Sequence, residues 1–260
     1  MSAYYGQLAF STILMETFPR APITEALLDI RFAAAEEIGM PALLSFHDAI
    51  SERFPLKEER RFLKQTLKLK PGETPQAEIT DQTTGYFFLQ ADRSKIVQAS
   101  NSSFSFHKLR PYENWETYRE EAKELWGKFL QIAKPESVSQ VGLRYINRIE
   151  APLPLKDFRD YCTLFPEIPA NLPQGLSELF LRFVMPDPAT VAIGIVTVTF
   201  EHPLPTSTTI AIILDIDVVQ PLTVPSVADN EIWETFERLR EYKNRIFCSS
   251  TTEAAKNLFR

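Results

Sequence analysis

The chain has 260 residues, of which 44% are hydrophobic. That is enough apolar content to bury a large core, and it excludes a disordered protein. The formal net charge of −6 and the pI near 5.3 repel polyanions, and no block of about five Lys or Arg residues overcomes that field locally. We therefore expect no nucleic-acid partner, and we interpret the most basic stretch, Lys57 to Lys70, as a solvated face rather than a nucleic-acid patch.

The first residues are predicted to form an N-terminal extension, residues 1–22. They lack the basic start of a signal peptide, and no later segment approaches the roughly 18 apolar residues of a membrane span. We therefore expect a cytoplasmic protein without a membrane partner. The extension is rich in apolar side chains such as Tyr5, Phe10 and Leu14. These predict packing on the body of the chain or on a second copy of it, which would make the protein a homo-oligomer.

The elements that follow the extension are predicted from hydrophobic periodicity. A helix with an apolar stripe starts at Trp115, with Asn114 as its N-cap, and ends before Pro135. Before it, in chain order, we predict a strand at Ala26–Ala33, a helix at Pro41–Phe54, and strands at Phe62–Lys70, Tyr86–Ala91 and Ile96–Leu109.

The second half of the chain repeats this order. The phrase WETYREE at Trp115 returns as WETFERL at Trp233, 118 positions later, in a second long helix capped by Asp229 or Asn230. Before that helix we predict a strand at Val138–Glu150, a helix at Leu155–Phe165, and strands at Leu179–Met185, Val191–Glu201 and Thr208–Val219.

Each half therefore has the predicted order β-α-β-β-β-α, which indicates an α+β protein with an internal duplication. Consecutive strands pair antiparallel, so we expect one curved antiparallel sheet of about eight strands with the helices on one face. This order is similar to helix-grip and TATA-binding-protein-like architectures. The two repeats would be residues 23–135 and 136–260, joined in one globular body. The alternative is an ordinary α+β chain in which the repeated phrase is a coincidence.

Four stretches carry a resemblance to a known family: PITEALLDIRF from Pro22, VGLRYINRI from Val141, ILDIDV from Ile213, and the tail from Leu239. With them the chain resembles a sporadically distributed family of uncharacterised bacterial and archaeal proteins of about this length. The resemblance covers nearly the whole chain beyond the extension. It implies a prokaryotic source, and it implies no chemistry.

Charged residues inside the predicted strands are the candidate binding residues. Strand alternation places Arg144 and Arg148 on one face of their strand, and it places Asp215 and Asp217, about 7 Å apart, on one face of another. Such residues form a solvated sheet face, an ion-pair network that sets strand register, or a polar binding cleft. We expect Arg144 to contact at least one nearby carboxylate. The full candidate set is Glu25, Arg144, Asn147, Arg148, Asp215 and Asp217.

No catalytic set emerges from the sequence. The phosphate-binding glycine motifs and the G-x-S-x-G turn are absent, and the three histidines lack metal-ligand spacing. Cys162 and Cys248 cannot form a disulfide framework, which fits a reducing compartment, and neither has a nearby histidine. We therefore predict no cofactor, no metal site and no catalytic residue. The favoured function is a binding or interaction module for a protein or a small ligand. The alternative is a metal-assisted hydrolase or phosphoryl-transfer enzyme that uses Asp215 and Asp217.

Overall fold

A computed structural model describes residues 18–34, 38–68 and 76–260. The apolar residues before Phe18, whose packing we predicted, lie outside this range. Phe18 itself packs edge-on against Phe259 and Phe247, with ring centroids 5.7 Å and 6.3 Å away. The chain therefore enters the body beside its own C-terminus.

Nine strands and four helices make up the described part of the chain. The helices are α1 (Met40–Ile50), α2 (Trp115–Ala133), α3 (Asp229–Ser250) and α4 (Glu253–Asn257). The strands are β1 (Ile23–Ala33), β2 (Leu56–Lys68), β3 (Gln76–Leu89), β4 (Lys95–Ser100), β5 (Ser103–Leu109), β6 (Ser137–Pro152), β7 (Phe180–Pro186), β8 (Ile193–Glu201) and β9 (Thr209–Pro225).

All nine strands form one sheet in the order β2-β3-β4-β5-β1-β6-β9-β8-β7. Every neighbouring pair is antiparallel. The two halves of the chain meet where β1 pairs with β6, with Leu28 opposite Leu143. The predicted α+β class and the single antiparallel sheet are therefore confirmed.

The helices cover the sheet face that carries the apolar side chains. Trp126 of α2 is 1% exposed and lies against Phe32 of β1 and Phe104 of β5. Phe46 of α1 packs on the same Phe104, and α3 lies over β6 and β9. We call the opposite sheet face the outer face. It carries the charged residues that were predicted as candidate binding residues. No described helix combines the length and apolarity that crossing a membrane requires.

Two predicted elements are wrong. The run Ile96–Leu109 is two strands, because Ser100 Oγ accepts hydrogen bonds from the N–H groups of Ser102 and Ser103 and closes a turn between them. The helix expected at Leu155–Phe165 is a single 3-10 turn, Phe158–Asp160. There the backbone of Cys162 leaves the helical path and forms an isolated antiparallel β-bridge with the backbone of Thr251, at the end of α3. The sheet consequently has nine strands rather than eight.

The helix starts were predicted with mixed success. Asn114 caps α2 as expected, since its Oδ1 accepts the N–H of Thr117 at 2.8 Å. The cap predicted for the second long helix is wrong, because α3 begins at Asp229 without a side-chain cap. Asp229 instead accepts a hydrogen bond of 2.6 Å from Nε1 of Trp233, and this satisfies the indole donor.

Candidate functional site

Five of the six predicted residues lie on the outer face of the sheet. The strand pairing places Arg144 of β6 opposite Asp217 of β9, and Ile146 opposite Asp215. Asp215 is nevertheless the carboxylate that Arg144 binds, with Nε to Oδ1 at 2.9 Å and Nη2 to Oδ2 at 2.6 Å. The expected contact between Arg144 and a carboxylate is therefore confirmed, in a two-pronged geometry that adds specificity to the ion pair.

The side chain of Asp217 differs from that of Asp215, because no described group donates a hydrogen bond to its carboxylate. Burial raises the pKa of the Asp217 carboxyl, and the charges of Asp215 and Asp29 add to that effect. The guanidinium of Arg144 opposes the shift. Arg144 therefore stabilises the ionised forms of both acids, Asp215 through hydrogen bonds and Asp217 through its charge.

The remaining outer-face candidates are also paired. Glu25 binds Nδ1 of His107 at 2.8 Å, and this hydrogen bond lowers the pKa of the Glu25 carboxyl. Arg148 binds Glu150 at 2.7 Å and also forms a short ion pair with Glu201. Of the interpretations that the sequence left open for the outer face, these contacts favour an ion-pair network.

Asn147 is separated from the other five residues by the sheet. It lies on the helix-facing side of β6, where it is 2% exposed. Its Nδ2 donates to the carbonyl of Leu214 at 3.0 Å and, more weakly, to the carbonyl of Tyr145 at 3.3 Å. Asn147 lines a cavity under α3, and it is the one residue of the six candidates that does so.

The cavity has a volume of about 160 Å³ and lies where the two halves of the chain meet. Protein cavities of about 150 Å³ accommodate a molecule the size of benzene. Its floor is the helix-facing side of β6, and the second half of α3 forms one wall. The start of α2 and residues 18–23 close the other sides. Its lining includes Tyr112, Trp115, Tyr145, Asn147, Arg240 and Lys243.

Lys243 is the most unusual group in the cavity. Its ammonium lies 4.0 Å from the ring centroid of Tyr145, which is 2% exposed, so the charged end of the side chain lies against the buried floor. Burial lowers the pKa of Lys243 to about 7, and the neighbouring charge of Arg240 contributes. The aromatic ring favours the ammonium form, but loss of hydration outweighs it. Near pH 7 the amine is thus present in both protonation states.

The second cation of the cavity is Arg240, one turn earlier on α3. Its guanidinium lies 5.6 Å from the ring centroid of Trp115 and 3.5 Å from carboxylates of both Glu116 and Glu237. These separations are longer than a charge-assisted hydrogen bond. Glu116 is also well exposed. Arg240 therefore retains capacity to bind a further anion.

Two tyrosine hydroxyls complete the polar lining. Tyr112 and Tyr145 share a hydrogen bond of 2.8 Å between their hydroxyl oxygens. Burial raises the pKa of Tyr112 to about 12 and that of Tyr145 well above its ordinary value. Both hydroxyls therefore stay neutral at physiological pH. They can donate or accept hydrogen bonds without adding charge to the site.

A larger cavity of about 550 Å³ lies between the loop that follows β6 and strands β8 and β9. Two of its charged lining residues already pair with each other, since Arg159 binds Asp157 with Nη2 to Oδ2 at 2.8 Å. The smaller cavity is the stronger candidate, because no described carboxylate pairs with Lys243 and the contacts of Arg240 with Glu116 and Glu237 are long, at 3.5 Å.

Sequence reasoning missed Lys243, Arg240 and Tyr112. A signal for the first two was present, because they follow one another at a spacing of three beside the apolar stripe of α3, on the edge of the buried face. Tyr112 gave no such signal. It lies in a loop, and only the folded chain brings it to Tyr145.

Neither the described residues nor comparison with known proteins identifies a metal site or a relative of this chain. Within the described ranges, no three His, Cys, Asp or Glu side chains converge as a metal-binding group. No protein-family model matches the chain, and no curated protein has a matching sequence. The resemblance to the uncharacterised prokaryotic family therefore stays a prediction.

Proposed function

We propose that the protein is a binding module whose cavity under α3 takes a small organic anion. The observation that carries this proposal is the pair of cations, Lys243 and Arg240, on one wall of a partly open cavity. Among the described residues, no carboxylate forms an ion pair with Lys243. A bound anion would give Lys243 the partner that it lacks and would offset the cost of burying its charge.

The nearby acids do not neutralise this wall. Glu113 is engaged by Lys108, whose Nζ lies 3.0 Å from Oε1. Glu116 lies 3.5 Å from Arg240 and is well exposed, so its interaction with that guanidinium is screened by solvent. A ligand carboxylate that excluded water from the cavity would interact more strongly with both cations.

The remaining walls favour a ligand with an apolar part. Trp115, Tyr145, Phe18 and Phe247 present aromatic surface to the same space. Asn147 and the tyrosine hydroxyls add neutral hydrogen-bonding groups. Small-molecule sites commonly combine such apolar walls with a few polar groups that fix orientation. An organic acid suits this lining better than an inorganic anion does.

The proposal is tested by titrating the full chain with acetate, lactate and benzoate. Calorimetry measures the binding, and the shift in melting temperature provides a second readout. We expect at least one of these acids to bind. We expect Lys243→Met and Arg240→Met each to weaken that binding about tenfold or more, the equivalent of about 1.4 kcal/mol. Lys128→Met is the matched control, because Lys128 lies on the surface of α2 and pairs with Glu124. Equal affinities in all four proteins would contradict the proposal.

The pH dependence of binding gives a second test. A bound anion favours the protonated amine, so it raises the pKa of Lys243 above about 7. Binding then takes up a proton, and the affinity falls as the pH rises from about 6 to about 9. In Lys243→Met this dependence should be lost. An affinity that is independent of pH in the wild-type protein would remove Lys243 from the site.

The alternative function, metal-assisted hydrolysis through Asp215 and Asp217, is less well supported. Both carboxylate oxygens of Asp215 accept hydrogen bonds from Arg144. A cation would have to displace that guanidinium before it could bind the two acids. The outer-face residues are better explained as ion pairs within and between the strands of the sheet, such as Arg144 of β6 with Asp215 of β9 and Arg148 of β6 with Glu201 of β8.

The cavity position also fits the internal duplication that we infer for the chain. The strand order β3-β4-β5-β1 mirrors β7-β8-β9-β6 across the β1–β6 junction. The long helices α2 and α3 each carry the repeated tryptophan near their start. In this proposal the two halves are copies of one unit, and the ligand binds at the junction between them.

A further inference from the structure

We propose that Lys243 is a nucleophilic amine that forms an imine with a small 2-oxo acid, while Arg240 holds the carboxylate of that acid. This inference rests on the proposed function, because it places the ligand in the same cavity. It adds a covalent step and a substrate class that contains both a carboxylate and a neighbouring carbonyl group.

The geometry supplies the conditions under which a lysine becomes a nucleophile. Lysines are activated when they are desolvated and lie beside another cation, and Lys243 meets both conditions, between the buried ring of Tyr145 and Arg240. An amine with a pKa of about 7 is about half neutral near pH 7, and only the neutral form carries the lone pair that attacks a carbonyl carbon.

The charged and titratable groups around Lys243 come from three elements. Arg240 and Cys248 lie on α3 itself, and Tyr145 lies beneath on β6. Tyr112, Glu113 and Glu116 come from the start of α2 and the loop before it. Glu113 is bound to Lys108, and Glu116 lies 3.5 Å from Arg240. Among the described residues, no carboxylate forms an ion pair that would hold Lys243 in the ammonium form.

Arg240 and Lys243 are three residues apart on one helix, so their side chains lie on neighbouring positions of the same face. This spacing suits a ligand whose anionic group and electrophilic carbon are directly bonded. In a 2-oxo acid the carboxylate and the carbonyl carbon have that relationship. A guanidinium binds the planar carboxylate through two parallel hydrogen bonds, and this would fix the carbonyl carbon near the amine.

The step balances without an added oxidant or reductant. The nitrogen lone pair of neutral Lys243 attacks the carbonyl carbon, and the carbonyl oxygen takes up a proton while the nitrogen loses one. The carbon–oxygen bond of this carbinolamine then breaks as the nitrogen lone pair forms the C=N bond. The oxygen takes a second proton and leaves as water, and the nitrogen keeps its remaining hydrogen, so the product is the protonated imine. The neutral hydroxyl of Tyr112, which lines the same cavity, is available for these proton transfers.

The test is reductive trapping of the full chain with pyruvate and cyanoborohydride, which reduces an imine to a stable amine. Intact-mass measurement and peptide mapping then locate the adduct. We expect a single reduced pyruvyl group on Lys243, no adduct at that position in Lys243→Met, and an unchanged adduct in Lys128→Met. An adduct spread evenly over surface lysines, with no preference for Lys243, would overturn the proposal.

Two further arms separate this inference from the proposed function. Lactate has the same carbon skeleton as pyruvate but lacks the carbonyl group, so it reports anion binding alone. If lactate and pyruvate both raise the melting temperature and no adduct forms, the imine proposal fails and the binding module stands. If neither acid binds or reacts, both proposals fail. Arg240→Met should lower the trapping rate with pyruvate at least tenfold and leave the rate with uncharged propanal nearly unchanged, whereas equal losses with both would overturn the role of Arg240.

Discussion

Arg144 on β6 holds the carboxylate of Asp215 on β9 through two hydrogen bonds of 2.9 Å and 2.6 Å. The acid is 19% exposed and the guanidinium is 42% exposed, so the pair is neither buried nor fully solvated. Asp217 lies beside it, and the charge of the same arginine, with a smaller contribution from Arg31, favours the ionised form of its carboxyl. This arrangement makes Arg144 more important to the outer face than either acid is.

A double-mutant cycle between Arg144→Ala and Asp215→Ala should give a coupling free energy of about 1 kcal/mol, the upper part of the range for exposed pairs, because the geometry is two-pronged. Arg144→Ala alone should cost more stability than Asp215→Ala, since it leaves two acids without their cation. Urea denaturation at low and high salt would measure both effects. The exposed pair of Arg93 and Glu58, in which Nη2 donates to one carboxylate oxygen at 2.7 Å, provides a control cycle with a smaller coupling. An equal coupling in the two cycles would show that the two-pronged geometry adds nothing.

Trp126 should be essential to the core under α2. It is 1% exposed and stacks on Phe129 with ring centroids 5.7 Å apart. Trp126→Ala should lower the free energy of unfolding by about 3 to 5 kcal/mol, because the lost aromatic contacts leave a cavity. Glu120→Ala, on the exposed side of the same helix, should change it by less than about 0.5 kcal/mol. Chemical denaturation would measure both variants, and a loss below about 1 kcal/mol for Trp126→Ala would contradict the assigned packing.

The sequence was sufficient for features that depend on local periodicity. Alternation along β6 predicted that Arg144 and Arg148 share one face and that Tyr145 and Asn147 share the other, because successive side chains of a strand point in opposite directions. The burial along β6 follows this alternation. The apolar stripe of α2 likewise predicted the buried position of Trp126.

Features that depend on tertiary contacts could not be predicted in the same way. The segment around Phe158 has a helical pattern, yet its path is set by the bridge between Cys162 and Thr251, which are 89 positions apart in the sequence. The cavity likewise depends on tertiary contacts, since Tyr112, Tyr145 and Lys243 come from three segments that are distant in the sequence. A pattern within one segment carries no information about such a meeting point.

Gly85 of β3 provides a test of the close approach of β3 to β4, and Gly127 of α2 provides the comparison. A Cβ atom on Gly85 of β3 would lie 2.9 Å from Cα of Ser100 and still closer to the carbonyl oxygen of Ala99, both backbone atoms of β4. Gly85→Ala should therefore destabilise the protein by about 1 to 3 kcal/mol, since the strand must move. A Cβ on Gly127 of α2 meets nothing within 4 Å. Gly127→Ala should therefore stabilise the helix by up to about 1 kcal/mol. Melting curves of both variants would show shifts of opposite sign, and a shift of the same sign would contradict the close approach of β3 to β4.

The contribution of Lys243 to stability should increase as the pH rises. A salt-bridged lysine, whose pKa is raised by folding, has the opposite effect. Its pKa is lowered from 10.5 to about 7 in the folded chain. Between these two values the unfolded chain binds more protons at this residue than the folded chain does. The contribution of Lys243 to the free energy of unfolding therefore rises with pH, by up to about 1.4 kcal/mol per pH unit. Below about pH 7 both forms are largely protonated, and the cost of burying the charge is present in full.

Lys243→Met removes this titration and keeps an apolar side chain against Tyr145. The variant should be more stable than the wild-type protein at about pH 6.5, and the difference should shrink steadily as the pH is raised toward about 9.5. Urea denaturation of the two proteins at matched pH values measures the difference directly, because all other titrating groups are common to both. Lys128→Met, at a surface position of α2, is the matched control. Parallel stability curves for Lys243→Met and wild type would show that the Lys243 ammonium is not desolvated, and both the anion site and the imine chemistry would then lose their physical basis.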